Sequence, residues 1–130
     1  MPGRVLIIDP IATNRILLKV RLAASNYRVL QASALSEGVS LTSSAMPDLI
    51  VIDHSLICDD VTALGGLTDA HPCPIVVLTP PEGLIARAQM LAAGAADCLQ
   101  KPINDALLLA RLRSLMRFET TRRETGLRDD

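Results

Sequence analysis

Four residues suited to phosphorus chemistry each close a short run of the chain: Asp9, Asp53, Thr79 and Lys101. Asp9 follows Val5-Leu6-Ile7-Ile8, Asp53 follows Leu49-Ile50-Val51-Ile52, and Thr79 follows Ile75-Val76-Val77-Leu78. Lys101 follows Asp97-Cys98-Leu99-Gln100 and precedes Pro102. Two carboxylates held close repel each other and favour a cation between them. A hard divalent ion such as Mg²⁺, with oxygen ligands, answers that need. A carboxylate oxygen is also a nucleophile toward phosphorus. Lysine pairs with phosphoryl oxygens, and a threonine hydroxyl hydrogen-bonds one of them. If the four meet, they make a site for in-line phosphoryl transfer. Taken singly, each has a plainer role: a helix cap for Asp9, a loop acid for Asp53, a turn residue for Thr79, a solvated lysine for Lys101. Only their joint placement at successive strand ends favours a shared site.

The segments between them supply that placement. The apolar runs ending at Ile8, Ile52 and Leu78 read as fully buried strands. Tyr27 to Gln31 reads as a shorter strand near the sheet edge, and Asp97 to Gln100 as a fifth strand. Helices are expected from Ile11 to Ala24, with Ile11, Leu17, Leu18 and Leu22 at helical spacing, and from Ala34 to Ser44, with Leu35, Val39 and Leu41 turned inward. A short third helix runs to Asp69. The fourth begins near Glu82-Gly83 and stops at Ala93-Gly94, where glycine suits a helix end. The last begins at Ile103 and carries Leu107, Leu108, Leu112, Leu115 and Met116 to Phe118. Strictly alternating strands and helices predict a doubly wound α/β fold, a five-stranded parallel sheet covered on both faces. Parallel strands finish on one side, the side where open α/β sheets bind ligands.

Composition agrees. The chain has 130 residues, one domain's worth, and 49% are hydrophobic. Tyr27 and Phe118 are its only aromatics, so Leu, Ile, Val and Ala must build the core. The net charge of −1 offers no basic field for nucleic acid. No apolar stretch approaches the ~20 residues that span a bilayer, and no signal peptide is expected. Cys58, Cys73 and Cys98 are odd in number and widely spaced, which suits a reduced, cytoplasmic setting.

These segments together resemble the receiver domains of bacterial response regulators over residues 4 to 118. The resemblance rests on Val5-Leu6-Ile7-Ile8-Asp9, Pro47-Asp48-Leu49-Ile50-Val51-Ile52-Asp53, Pro74-Ile75-Val76-Val77-Leu78-Thr79, Ala93-Gly94-Ala95-Ala96-Asp97 and Lys101-Pro102. It implies the flavodoxin-like, CheY-like strand order 2-1-3-4-5. It implies Asp53 as the phosphoacceptor, and Mg²⁺ held by Asp9, Asp53 and the backbone carbonyl of Ser55. It implies Thr79 as the hydroxyl switch and Lys101 as the phosphate-pairing lysine, with a cis bond to Pro102. The partner would be a histidine kinase or phosphotransfer protein, and the α4–β5–α5 face could pair two copies. The stretch Leu109 to Phe118 is similar to the PleD-type regulators, whose output is a diguanylate cyclase; any such domain would lie in a longer parent protein. Residues 1–118 would be the receiver and 119–130 a helix extension or linker.

Three positions depart from the family. Pro10 stands where a second acid usually ligates the metal, and proline has no side-chain oxygen, so Mg²⁺ affinity should be weakened. Leu56-Ile57 replaces the usual Met-Pro, and Asp59 or Asp60 of the following loop would cap the third helix or else supply the missing charge. Cys98 occupies the aromatic switch position, where it reads as a small buried residue. His54, beside Asp53, reads as an exposed loop side chain. Pro10 and Cys98 support an alternative, a degenerate receiver that acts as an interaction module independent of phosphorylation.

A flavin or nucleotide binder of the same fold is a third possibility. Asp9-Pro10-Ile11-Ala12-Thr13-Asn14 lacks the glycine that lets backbone cradle a phosphate, and a flavin would find almost no aromatic to stack on. The purified protein should therefore be colourless; a visible absorption band at flavin wavelengths would restore this reading.

Overall fold

β-Branched and leucine runs that bury both faces need helices above and below them, and the chain supplies both layers. A computed structural model describes residues 3–126. The elements are β1 (Arg4–Ile8), α1 (Ala12–Ala24), β2 (Arg28–Ala32), α2 (Leu35–Ala45) and β3 (Leu49–Asp53). A single 3₁₀ turn, His54–Leu56, follows. Then come α3 (Ala63–Ala70), β4 (Ile75–Thr79), α4 (Leu84–Ala92), β5 (Asp97–Gln100) and α5 (Asp105–Gly126). All pairings are parallel, in the order β2-β1-β3-β4-β5. β2 therefore lies at an edge, as its shorter apolar run suggests.

Alternation along the strands divides the core in two. Leu6, Ile8, Ile50, Ile52, Ile75 and Val77 face one side and meet Leu64 and Leu67 of α3 and Met90 of α4. Val5, Ile7, Leu49, Val51, Val76 and Leu78 face the other, against Leu18 and Leu22 of α1 and Leu108 and Leu112 of α5. Leu35, Val39 and Leu41 pack against the first core as expected. Ile11, Leu17 and Leu107 do not join their helices' buried faces; they are exposed. The buried stripe of α1 is narrower than its apolar content suggests: its buried residues are Leu18 and Leu22.

The helix ends follow local chemistry. Asn26 takes a left-handed φ of 69° after α1, and its N–H bonds the Ala23 carbonyl at 3.0 Å. Gly94 has φ 114°, the conformation that ends α4 and favours glycine. α5 starts two residues later than Ile103. The Asn104 side chain accepts the Leu107 N–H at 2.9 Å and so caps the helix, while Ile103 packs against the second core. The helical backbone continues past Phe118 to Gly126. Residues 127–130 lie outside the described residues. Among the described residues no helix is long and apolar enough to cross a membrane.

One close approach sets the floor of the strand edge. Gly38 of α2 is buried against Ile8, the last residue of β1. A Cβ built at Gly38 would lie 2.5 Å from Ile8 Cδ1 and 3.1 Å from Cγ1. Gly38→Ala should thus lower the unfolding free energy by about 1–2 kcal/mol through overpacking. With Ile8→Val in place the 2.5 Å contact to Cδ1 is gone while the γ-carbons stay, and alanine's helix advantage of about 1 kcal/mol should make the same change less costly. Urea unfolding of the single and double variants measures this coupling.

Candidate functional site

The sheet register brings the four strand ends together. Ile8 pairs with Ile52, so Asp9 and Asp53 leave adjacent strands at one level. Asp53 pairs with Leu78, and Thr79 pairs with Gln100, which precedes Lys101. Asp9, Asp53 and Thr79 are buried polar residues in a sheet otherwise filled with aliphatics. A buried polar group persists only when it is bonded, and here each is.

Lys101 crosses β4 to reach Asp53. Its Nζ donates to Asp53 Oδ1 in a direct ion pair, and its backbone N–H bonds the Thr79 carbonyl at 2.8 Å. The Lys101–Pro102 bond is cis, as the family resemblance implies. Oδ2 of Asp53 accepts from the Ser55 N–H at 3.1 Å and from the Ser55 hydroxyl at 2.6 Å. Burial pushes the Asp53 carboxyl up. The Lys101 ammonium and the two Ser55 donors outweigh it and hold the carboxyl below the ordinary aspartate value. The carboxylate is therefore ionised and oriented, the state a nucleophile requires.

Asp9 is held differently. Its Oδ1 accepts the Ile11 N–H at 2.8 Å. Asn14 Nδ2 lies 3.3 Å from Oδ2 and 3.5 Å from Oδ1. Arg15 Nη1 donates to the Asp9 backbone carbonyl at 2.7 Å. Asp9 thus organises the entry to α1 and also lines a cleft of about 320 Å³ with Asn14, Leu17, Lys101, Pro102 and Ile103. Sequence reasoning missed Asn14 and Arg15, although both stand one helical turn beyond Asp9-Pro10. It named Ser55 only for its carbonyl and missed its hydroxyl and N–H.

The hydroxyl of Thr79, fully buried, donates to the Leu99 carbonyl of β5 at 3.4 Å. Cys98 is buried as expected, and burial pushes its thiol up, with Arg87 opposing and Asp97 adding to the effect. Arg87 Nη1 donates to the Cys98 carbonyl at 3.0 Å, and Cys98 Sγ donates to the Arg87 carbonyl at 3.8 Å. Arg87 and Arg111 both pair with Asp97, at 3.9 and 3.3 Å. The position that carries a ring in the family is here laced to α4. His54 is half-buried in the 3₁₀ turn, not a fully exposed loop residue. Asp60 accepts the Thr62 N–H at 3.1 Å and the Thr62 hydroxyl, steadying the turn before α3; α3 itself receives no side-chain cap.

The residues named for Mg²⁺ supply hard oxygens of the kind a divalent cation takes, two carboxylates and a carbonyl, with no acid directly after Asp9. Pro10 is exposed and has no side-chain oxygen. Each oxygen of Asp9 and Asp53 already accepts an N–H or O–H donor. The Ser55 carbonyl accepts the Cys58 thiol at 3.5 Å. Among the described residues, no three His, Cys, Asp or Glu side chains converge as a metal site.

Comparison with known proteins agrees with the fold. The response regulator receiver domain family matches residues 5–113. Response regulator PleD of Caulobacter vibrioides is 36% identical over 123 residues, covering 92% of this chain and 27% of its own length. Response regulator MprA of Mycolicibacterium vanbaalenii is 33% identical, covering 92% of this chain and 53% of its own. The chain thus spans about a quarter to a half of these relatives. A receiver domain protein from Clostridium thermocellum superposes with a TM-score of 0.84 at 20% identity, over 92% of this chain and 98% of that one. The receiver domain of a sensor histidine kinase from Pseudomonas aeruginosa, solved with a magnesium ion in its active-site cleft, gives 0.74 at 21% identity, over 89% and 98%. At such identities the superpositions show the fold, while the family match and the 36% relative fix the lineage: the chain belongs to the response regulator receiver domains.

Proposed function

We propose that Asp53 accepts a phosphoryl group from a histidine kinase or phosphotransfer protein and that the modified domain regulates an output domain or partner. The observation that carries this reading is the Lys101–Asp53 ion pair, formed across β4 at the edge where the strands end. A carboxylate oxygen of Asp53 attacks phosphorus, the phosphorus–nitrogen bond of the donor phosphohistidine breaks, and the imidazole leaves with that electron pair. Lys101 pairs with the phosphoryl oxygens as charge builds on them. The added charge of about −1.5 to −2 offers the Thr79 hydroxyl a stronger acceptor than the Leu99 carbonyl. Rotation of Thr79 would release its bond to β5 and carry the change toward the α4–β5–α5 face.

That face is the proposed surface for homodimerisation, and Leu84, Ile85 and Leu107 are exposed there. The receiver is taken as residues 1–118, with 119–130 leading to any further domain. The likeness to PleD makes a diguanylate cyclase one such domain in a longer protein, while the receiver supplies no catalysis of that kind. A cytoplasmic setting and the lack of direct nucleic-acid binding complete the proposal. A second reading, a degenerate receiver that binds partners without phosphorylation, is favoured by Pro10 and by the Arg87–Cys98 lacing in place of a mobile ring.

Acetyl phosphate with millimolar Mg²⁺ should add one phosphoryl mass to the chain, and none to Asp53→Asn. Labelling that survives in D53N would place the phosphoacceptor elsewhere, while no labelling of the wild type, with partner binding kept in D53N, supports the second reading. Lys101→Ala should slow labelling at least about tenfold, a loss of roughly 1.4 kcal/mol in transition-state stabilisation. The same variant should raise the Asp53 pKa. Because the folded value is held below the unfolded one, the stability contributed by the Asp53 carboxylate is present above about pH 4 and is lost as pH falls through the depressed folded value. Carboxyl carbon NMR titration of Asp53 should show a higher midpoint in K101A than in the wild type.

A further inference from the structure

We infer that Arg87 and Asp97 form a clip that closes the outer edge of β5 and keeps copies of this chain from joining strand to strand. β5 stands last in the sheet order and pairs with β4 alone among the described residues. The backbone groups on the outer side of such a strand are a ready template for another chain. At Cys98, inside the four-residue strand, side chains take both groups. The Cys98 N–H donates to Asp97 Oδ1 at 2.8 Å, and its carbonyl accepts from Arg87 Nη1 at 3.0 Å. Cys98 is fully buried although its strand lies at an edge.

The clip is itself anchored. Asp97 Oδ2 pairs with Arg111 Nε of α5 at 3.3 Å, and Arg87 Nη2 of α4 stands 3.9 Å from Asp97 Oδ1. One carboxylate thus ties both helices to the strand edge. The Cys98 thiol donates to the Arg87 carbonyl at 3.8 Å, a second tie between the same two residues. Beside the strand lies a cleft of about 360 Å³ lined by Arg87, Asp97, Cys98, Gln100, Leu107 and Arg111. Space therefore exists next to the edge, and side chains close it. The occupant that fits is β5 of a second copy. In a two-fold dimer the same residue stands opposite itself, and antiparallel residues that face each other exchange N–H and carbonyl bonds. A pair centred on Cys98 would need the two groups that the clip holds. The exposed Leu107 would add apolar burial to it. Pairing through helix faces needs neither group, so the clip directs any homodimer toward the helices.

The clip acts without phosphorylation, so its test uses the unmodified chain. A background carrying Leu84→Lys and Ile85→Lys removes the helix-face pairing of the proposed homodimer, and the two ideas can then fail separately. In that background, sedimentation velocity at rising concentration should find a monomer. Adding Arg87→Ala or Asp97→Ala should tighten self-association at least about tenfold. The Cys98 amide should then gain protection from hydrogen exchange as concentration rises. A strand merely loosened by the substitution would exchange faster at every concentration. Arg87→Lys, which keeps a donor for the Cys98 carbonyl, should stay monomeric. An unchanged oligomeric state in R87A and D97A, both folded by circular dichroism, would overturn the inference, and so would association that leaves the Cys98 amide unprotected. If one alanine variant fails to fold, the other decides alone.

Discussion

A carboxylate inside an aliphatic sheet has to find a counter-charge or give up its own. Asp53 ends a strand whose five residues are all buried, and its charge survives because Lys101 approaches from beyond β5 while Ser55 turns two donors back onto the second oxygen. Much of the architecture serves that meeting. β4 must lie between the two residues and finish at the same level, so that Thr79 can hold the Lys101 backbone. β5 must be short, so that the chain turns inward at Lys101. The helices on both faces then shut water out beneath the rim.

The route by which such a rim could speak to the rest of the molecule is altered here. β5 is fastened on both sides: Thr79 bonds the Leu99 carbonyl from β4, and Arg87 bonds the Cys98 carbonyl from α4. Asp97 adds ion pairs to α4 and α5. A small thiol held between polar contacts has no rotamer change comparable to that of a ring. In the proposed reading, Thr79 rotation therefore acts on this face through a shift of the β5 backbone with its attached arginines, not through the swing of a ring at position 98.

How much of this was legible beforehand depended on range. Leu49–Ile52 and Ile75–Leu78 declare buried strands because hydrophobic patterning is a local signal, and the parallel order then forces Asp9, Asp53, Thr79 and Lys101 to one edge. Side-chain partners were less accessible. Nothing in the spacing of Asn14 or Arg15 shows that both turn toward Asp9, since that depends on the angle at which Pro10 launches α1. Leu17 looked inward by composition and lies outward, because helix phase is set by Leu18 and Leu22 against the sheet. Ile103 looked helical and became core, because Asn104 captured the cap position. Burial patterns follow from sequence period; hydrogen-bond partners follow from geometry that only the fold fixes.

The contact between Gly38 and Ile8 reaches beyond packing. Ile8 is the last β1 residue before Asp9, so the volume at position 38 limits how far α2 can settle and hence where the first acid of the rim stands. The two positions share one volume: a bulkier residue at 38 calls for a shorter one at 8. A residue on α2 thereby bears on an acidic side chain that it does not itself touch.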